Sequence, residues 1–141
     1  MSRRRRIAGR WYTGAPSDSP RAAGGEGPLQ GIELAHRLID VIVDHLGADV
    51  VLLDLTAQGA FTDYFVIASI DNDRQMRAVV DALDESVSEI GESLRSEGLA
   101  GTGWVLIEVA NVVVHLFSPD RRRYYDLEGL WSRAPELVHI Q

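Results

Sequence analysis

The first regular feature of the chain is a helical repeat of apolar residues. They recur every three or four positions between residues 32 and 46, which is the spacing of one face of an amphipathic α-helix. Gly47 follows at once, and glycine favours the left-handed conformation that ends many helices. We therefore predict a first helix over residues 32–46.

Two short apolar runs follow this helix. Residues 50–53 and 64–69 are rich in β-branched side chains and show little polar alternation, which is typical of strands buried on both faces. The loop 56–62, which contains Gly59, connects them. A link this short favours an antiparallel pair.

A second helix is predicted to start near residue 72. Asn72 and Gln75 have the spacing of a capping box, in which each side chain bonds to the other residue's backbone. The apolar stripe beyond them keeps its helical spacing as far as Leu94. Three glycines between residues 98 and 103 then predict a flexible connection.

The last third of the chain predicts a hairpin and a small C-terminal segment. Strands over residues 104–109 and 112–117 are separated by two residues, and we expect Asn111 to supply the left-handed conformation of so tight a turn. A polar turn or helix follows Pro119, and a short amphipathic segment ends the pattern. The predicted order is α-β-β-α-β-β-(α), an α/β fold whose mixed β-sheet carries packed helices.

Charge is unevenly distributed along the chain. Residues 1–30 hold six arginines against two acids, a net charge of +4, whereas residues 31–141 hold eight arginines against nineteen acids, a net charge of −11. A folded part this acidic repels phosphates and is a poor general binder of nucleic acid. Its electrostatic preference is for a basic partner, such as a basic protein surface.

Residues 1–30 are predicted to be a disordered, arginine-rich leader. They combine prolines and glycines with no apolar period, and they lack the apolar stretch of a secretory signal. An organellar transit peptide, a bacterial N-terminal extension, or a start codon assigned too far upstream would each give this pattern. We expect residues 31–141 to form one domain, without a membrane span, because no apolar run approaches 18 residues.

Candidate catalytic chemistry is limited to carboxylates. The chain has no cysteine, and none of its histidines has a second histidine at metal-binding spacing. Asp71 and Asp73 could hold Mg²⁺ in a phosphotransferase or nucleotidyltransferase. The same residue types are favoured at a helix start, and we expect them to cap the second helix. We therefore predict no catalytic residue, no metal site and no cofactor.

Trp104 and His115 are candidates for a binding surface. Trp104 opens a strand after a glycine-rich loop, where side chains are often partly exposed, and exposed tryptophans are frequent interface anchors. A core tryptophan is the alternative. His115 lies on an otherwise apolar strand and either makes a structural hydrogen bond or joins a binding surface. The arginines at positions 121–123 form either a solvated turn or a contact to RNA phosphates.

Four ordered blocks of the sequence resemble the ribosomal silencing factor (Iojap) family. Residues 63–69, DYFVIAS, followed by Arg74 and Gln75, are similar to the family's first strand and helix start. The segment from Glu97 to residue 107, the run VVVHLF at 112–117 and the run YDLEGLW at 125–131 resemble three later blocks. Together the blocks cover residues 32–133 in the order that the family has.

The resemblance implies a fold and a function. The fold would be nucleotidyltransferase-like without catalysis. The function would be translational repression in the cytoplasm. Such a factor binds the large ribosomal subunit through its basic protein fourteen and sterically blocks joining to the small subunit when nutrients are scarce. A large-subunit assembly factor and, from another class, a Mg²⁺-dependent nucleotidyltransferase are the alternatives. A homodimer and a minor contact to ribosomal RNA stay open.

The expected site residues fall into two groups. We expect the docking surface to be formed or supported by four residues: Tyr64, Trp104, His115 and Tyr125. Acids near them would steer association with a basic partner. A structural or binding role at the strand-to-helix turn is expected of three more residues: Asp63, Arg74 and Gln75.

Overall fold

Six strands form one mixed sheet in the computed structural model, which describes residues 31–98 and 100–141. The predicted leader, residues 1–30, lies outside the described residues. In chain order the strands are β1 (Ala48–Asp54), β2 (Tyr64–Ser69), β3 (Arg95–Glu97), β4 (Trp104–Val109), β5 (Val112–Phe117) and β6 (Glu136–Ile140). Across the sheet their order is β3-β4-β5-β2-β1-β6.

The sheet is accompanied by α1 (Gly31–Asp44), α2 (Asp73–Ser88), α3 (Pro119–Tyr125), α4 (Leu127–Leu130) and a short 3₁₀ helix (Ala100–Thr102). The predicted α/β class, a mixed sheet with packed helices, is confirmed. Strands β2 and β5 pair in parallel and all other neighbours pair antiparallel. Helix α2 returns the chain across one face, as a parallel pairing requires. Within the described ranges, no helix has the length and apolarity to cross a membrane.

The predicted order lacks two strands, β3 and β6. The three residues of β3 are all exposed and carry no apolar pattern that could mark a strand. Strand β6 pairs antiparallel with β1 and extends the sheet beyond the predicted C-terminal segment. Its Val138 and Ile140 are buried while Leu137 and His139 are exposed, which is the alternation of an edge strand covered on one face.

The left-handed residue that ends the first helix lies one position earlier than predicted. Leu46 (φ 69°), not Gly47, takes the left-handed position, and its N–H donates to the carbonyl of Val43 at 2.9 Å. The N–H of Gly47 donates to the carbonyl of Ile42 at 2.8 Å, which completes a Schellman motif. A Cβ at Gly47 would lie 2.4 Å from Ile42 Cγ2, so glycine is needed there for close approach.

The predicted start of the second helix is confirmed. Asn72 is the N-cap of α2, and its Oδ1 accepts from the N–H of Gln75 at 2.8 Å. The return bond of the box is displaced by one residue, because Gln75 Oε1 accepts from the N–H of Asp71 at 3.0 Å. The predicted end near Leu94 is wrong. Helix α2 stops at Ser88, and the chain then turns through a glycine with φ 80° at position 91.

The β4–β5 turn differs from the prediction. Ala110 (φ 51°) takes the left-handed conformation that was expected of Asn111. Asn111 instead ties the hairpin to the loop before β2: its Nδ2 donates to Asp63 Oδ2 at 2.8 Å, and its carbonyl accepts from Thr62 Oγ1 at 2.8 Å. The asparagine therefore serves long-range bonding, and the alanine takes the strained turn position.

The sheet has two apolar faces with different covers. Helices α1 and α2 pack on the first face, where Leu38, Val66 and Leu83 belong to one buried cluster. On the second face, Phe65 and Phe117 are buried beneath residues 127–134. Since β1, β2 and β5 are buried on both faces, these two covers hold the sheet together.

Arg122 fastens the C-terminal cover to the sheet. The guanidinium of this helix α3 residue donates to the carbonyl of Asp49 at 2.7 Å and to Ser69 Oγ at 2.9 Å. It also pairs with Glu128 at 2.6 Å, and only 11% of its side chain is exposed. Neither alternative for residues 121–123, a solvated turn or a contact to RNA phosphates, holds for Arg122, because its charge is bonded inside the fold.

Replacing this clamp is expected to destabilise the chain. We expect Arg122→Ala to lower the free energy of unfolding by about 2 to 3 kcal/mol, because Glu128 would lose its partner in a partly buried place. Arg123→Ala is the matched control on the same helix. Its side chain is 72% exposed and pairs with exposed Asp120, so its effect should stay below about 0.5 kcal/mol. Urea unfolding measures both, and equal effects would contradict the assigned clamp.

Candidate functional site

Three of the four predicted docking residues meet on the second face of the sheet. Trp104 at the start of β4 and Tyr125 at the end of α3 place their rings 4.6 Å apart, centroid to centroid. The indole of Trp104 also stacks on Phe117 at 5.0 Å. His115 lies on β5 beneath Trp104, with its ring 6.0 Å away. We call Trp104, Tyr124 and Tyr125 the aromatic patch.

The position of Trp104 follows from the alternation of β4. Val105 and Ile107 point to the helix-covered face and are buried, while Trp104 and Leu106 lie half-buried on the second face. The C-terminal cover reaches β2, where Trp131 contacts Phe65 at 5.7 Å between ring centroids. The cover leaves β4 partly bare. The expected partial exposure of Trp104 is thus confirmed.

Tyr125 is held next to Trp104 by the turn between α3 and α4. Asp126 (φ 47°) ends α3 and also caps α4, where its side chain accepts from the N–H of Gly129. Tyr124 packs edge-on against Tyr125 at 4.9 Å. Tyr124 is 74% exposed and Tyr125 is 42% exposed, so both present aromatic surface to solvent.

His115 is a buried, neutral base within this group. Trp104 Nε1 donates to His115 Nδ1 at 3.2 Å. An indole only donates, so Nδ1 must be unprotonated and the proton of the neutral ring lies on Nε2. That Nε2 is buried and has no hydrogen-bond partner in the described part of the chain. Burial lowers the pKa of His115 from 6.5 to about 4, which keeps the ring neutral at pH 7.

Acidic side chains border the aromatic patch along the sheet edge. Glu97 of β3 is paired with Leu106 of β4, and Arg95 is paired with Glu108, so these residues share the second face with Trp104. Arg95 bonds Glu108 at 2.7 Å. A partner on this face would therefore meet aromatic rings beside the Glu97 carboxylate and the Arg95–Glu108 ion pair.

Tyr64 does not join the other three docking candidates. It lies on the helix-covered face, half-buried against the first core cluster. Burial, and then the nearby charges of Asp54 and Asp63, raise the pKa of its hydroxyl above the usual 10.0. Asp63 itself bonds Asn111 across the loop ends. The structure thus places Tyr64 and Asp63 near the loop before β2, behind the aromatic patch.

Gln75 links the two long helices. Its Nε2 donates to the carbonyls of His45 and Leu46, both at 3.0 Å, at the end of α1. Its Oε1 accepts from the N–H of Asp71, so the side chain joins the end of α1 to the start of α2. Arg74 is exposed on the first turn of α2.

The candidate metal pair, Asp71 and Asp73, lies exposed around the cap of α2. Asp73 is in the first turn, where a negative charge complements the helix dipole. In the described residues, no group of three or more metal-ligating side chains comes together. The capping side chain is that of Asn72, which lies between the two aspartates.

The family model described as "Ribosomal silencing factor during starvation" matches residues 28–141. The chain belongs to the ribosomal silencing factor family. The match spans all the described secondary structure, including the aromatic patch and the Gln75 link.

Individual relatives agree with this membership. A ribosomal silencing factor of Halalkalibacterium halodurans is 36% identical over 104 residues, which cover 73% of this chain and 89% of the relative. The crystal structure of a Chromobacterium violaceum protein matches with a TM-score of 0.70 and 30% identity, covering 74% of this chain and 88% of that one. The mouse "Mitochondrial assembly of ribosomal large subunit protein 1" is 27% identical over 99 residues, 67% of this chain and 43% of that protein.

The sequence does not predict every member of this candidate site. Tyr124 is one such member, although the Tyr-Tyr pair that it forms with Tyr125 is visible in the sequence. Phe117, under the indole, was assigned only to a strand. Glu97 and Glu108 could not be placed beside Trp104, because their register depends on β3, which carries no strand pattern.

The free energy of unfolding is expected to decrease as the pH is lowered from 6.5 to 4. The pKa of His115 is lower in the folded chain than in the unfolded chain, so the unfolded state binds more protons as the solution becomes acidic. This part of the stability is full above pH 6.5 and is lost as pH falls toward about 4. The gap between the two pKa values corresponds to at most about 3 kcal/mol.

Urea unfolding at a series of pH values measures this loss. His115→Asn should flatten the pH dependence between 4 and 6.5, because asparagine does not titrate in this range. The same slope in this variant as in the unaltered chain would show that other groups cause the acid sensitivity.

Proposed function

We propose that this chain is a translational repressor that docks on the large ribosomal subunit and blocks its joining to the small subunit. The observation that carries the proposal is the half-exposed aromatic patch on an acidic domain of the silencing factor family. The partner on the subunit would be basic ribosomal protein fourteen. The chain would act in the cytoplasm, where subunits join, and would slow translation under nutrient limitation.

The aromatic patch has the properties of a binding anchor. Trp and Tyr contribute large contact areas with few rotatable bonds, and they are enriched among residues that dominate binding energy. Here the rings of Trp104 and Tyr125 already contact each other. A partner would therefore meet surface whose side chains have little freedom left to lose.

Charge supports a basic protein as the partner. The domain carries a net charge of −11 over residues 31–141, and Glu97 lies on the face of the patch. Opposite charge speeds association and selects against acidic partners. We expect docking to weaken as salt rises, because screening shortens the reach of the domain's carboxylates.

A minor contact to ribosomal RNA fits the same orientation. Arg121 and Arg123 are exposed on α3, the helix that carries Tyr124 and Tyr125. These side chains would reach phosphates that border the protein partner. A homodimer that covers the exposed rings would compete with docking, and it stays a prediction.

The repressor proposal assigns no catalytic residue. Asp73 lies in the first turn of α2, where its charge complements the helix dipole, and docking through the aromatic patch requires no proton transfer. Steric exclusion needs only affinity and bulk at the subunit face. A nucleotide-dependent and Mg²⁺-dependent thermal shift that Asp73→Asn abolishes would instead favour the nucleotidyltransferase alternative.

The proposal predicts which substitutions weaken ribosome binding. Trp104→Ala is expected to reduce affinity for purified large subunits about 30-fold, near 2 kcal/mol, and Tyr124→Ala about 5-fold. Both variants should lose inhibition in a subunit-joining assay with purified subunits. Tyr124 is exposed, so its loss leaves the core intact.

Leu137→Ala is the matched control for these variants. Leu137 is an exposed apolar residue on β6, four strand spacings or roughly 19 Å from β4. It should bind and inhibit within about twofold of the unaltered chain, an effect near 0.4 kcal/mol. Full inhibition by a folded Trp104→Ala variant, checked by thermal unfolding, would overturn the proposed docking surface.

A second candidate function is assembly of the large subunit. The name of the mouse relative denotes assembly of the mitochondrial large subunit, which favours this candidate. Sucrose-gradient profiles of a deletion strain separate the two. A repressor predicts mature particles that join too readily during starvation, whereas an assembly factor predicts immature large subunits during growth.

A further inference from the structure

We infer that His115 is a positioning residue: it fixes the orientation of the Trp104 indole through the Nε1–Nδ1 hydrogen bond and does not itself touch the partner. The inference rests on the proposed docking function and refines the expectation that His115 helps to form the surface. It assigns to this buried histidine a role that acts only through its neighbour.

Direct contact with a partner is not available to His115. The residue is 4% exposed, and its ring is enclosed by Trp104, Phe65 and Phe117. Phe65 lies edge-to-face with the imidazole at 4.5 Å, and Phe117 is nearly parallel to it, at 11°. The partner would have to displace Trp104 to reach the imidazole.

The rings around Trp104 restrict its position more than its direction. Stacking on Phe117 at 5.0 Å and packing against Tyr125 at 4.6 Å are contacts whose energy depends only weakly on the exact orientation of the rings. A hydrogen bond is directional, and the single N–H of the indole has its acceptor at 3.2 Å in His115 Nδ1. This bond selects one of the stacked arrangements.

The remaining polar atom of His115 points to the same role. Its Nε2 carries the proton, is buried and lacks a partner within the described ranges, so the imidazole destabilises the core compared with an apolar side chain. Among residues 31–98 and 100–141, the polar contact that the ring makes is the bond to Trp104. Orientation of the indole, which lowers the ordering cost of docking, is the benefit that this arrangement provides.

Two matched substitutions isolate the acceptor. His115→Asn keeps an oxygen acceptor near the place of Nδ1, whereas His115→Leu has a similar size and no acceptor. We expect the Leu variant to unfold at the same or a higher temperature and to bind purified large ribosomal subunits about 10-fold more weakly. The Asn variant should bind within about threefold of the unaltered chain.

The same pair is then compared in the Trp104→Phe background, which removes the indole N–H. There the Asn and Leu variants should bind equally, since no donor remains for the acceptor. A persistent difference between them in this background would overturn the inference, because His115 would then act without Trp104.

A measurement without any ribosome keeps the two proposals separable. The indole N–H resonance of Trp104, identified by its absence from the Trp104→Phe spectrum, should be protected from solvent exchange in the unaltered chain. It should exchange at least 10-fold faster in the Leu variant. If the exchange rate is the same in the Leu variant, the positioning role is overturned. If exchange is faster but the His115→Leu and Trp104→Ala variants both bind subunits as the unaltered chain does, the docking surface is overturned instead.

Discussion

Burial of the central strands on both faces is the constraint from which the other features of this protein follow. Strands β1, β2 and β5 are apolar on each side, and the long helices α1 and α2 cover only one side. Residues 127–134 cover the other, where Arg122 clamps them to the ends of β1 and β2. That second cover is short, so it ends before β4 and leaves Trp104 partly exposed.

The uncovered strand is where the proposed docking surface lies. The aromatic residues here run from the core to the surface: Phe117 is buried, Trp104 is half-buried and Tyr124 is exposed. A partner would complete the burial that the chain leaves unfinished on this face. The buried imidazole of His115 lies at the boundary, where its Nδ1 accepts from the indole above it and its Nε2 has no partner among the described residues.

In this proposal, charge and the aromatic patch have different roles in binding. The acidic domain would draw a basic partner from a distance, while the aromatic patch would decide where that partner settles. The arginines of α3 near the patch differ in their environment. Arg122 is bonded within the fold, whereas Arg121 and Arg123 are exposed on the same helix. Adjacent residues of one type thus serve stability and surface charge separately, because α3 turns one of them toward the sheet.

The sequence alone determined the α/β class, four of the six strands, the N-cap at Asn72 and the family, because these depend on local periodicity and ordered motifs. The tertiary structure decided what depends on pairing across the chain. Strand β3 pairs with the edge that β4 offers, and Leu46 takes the left-handed position while Gly47 lies close against Ile42. Pairing register also brought Trp104, His115 and Tyr125 together and sent Tyr64 to the opposite face, since the side on which a strand residue lies is set by its neighbours in the sheet.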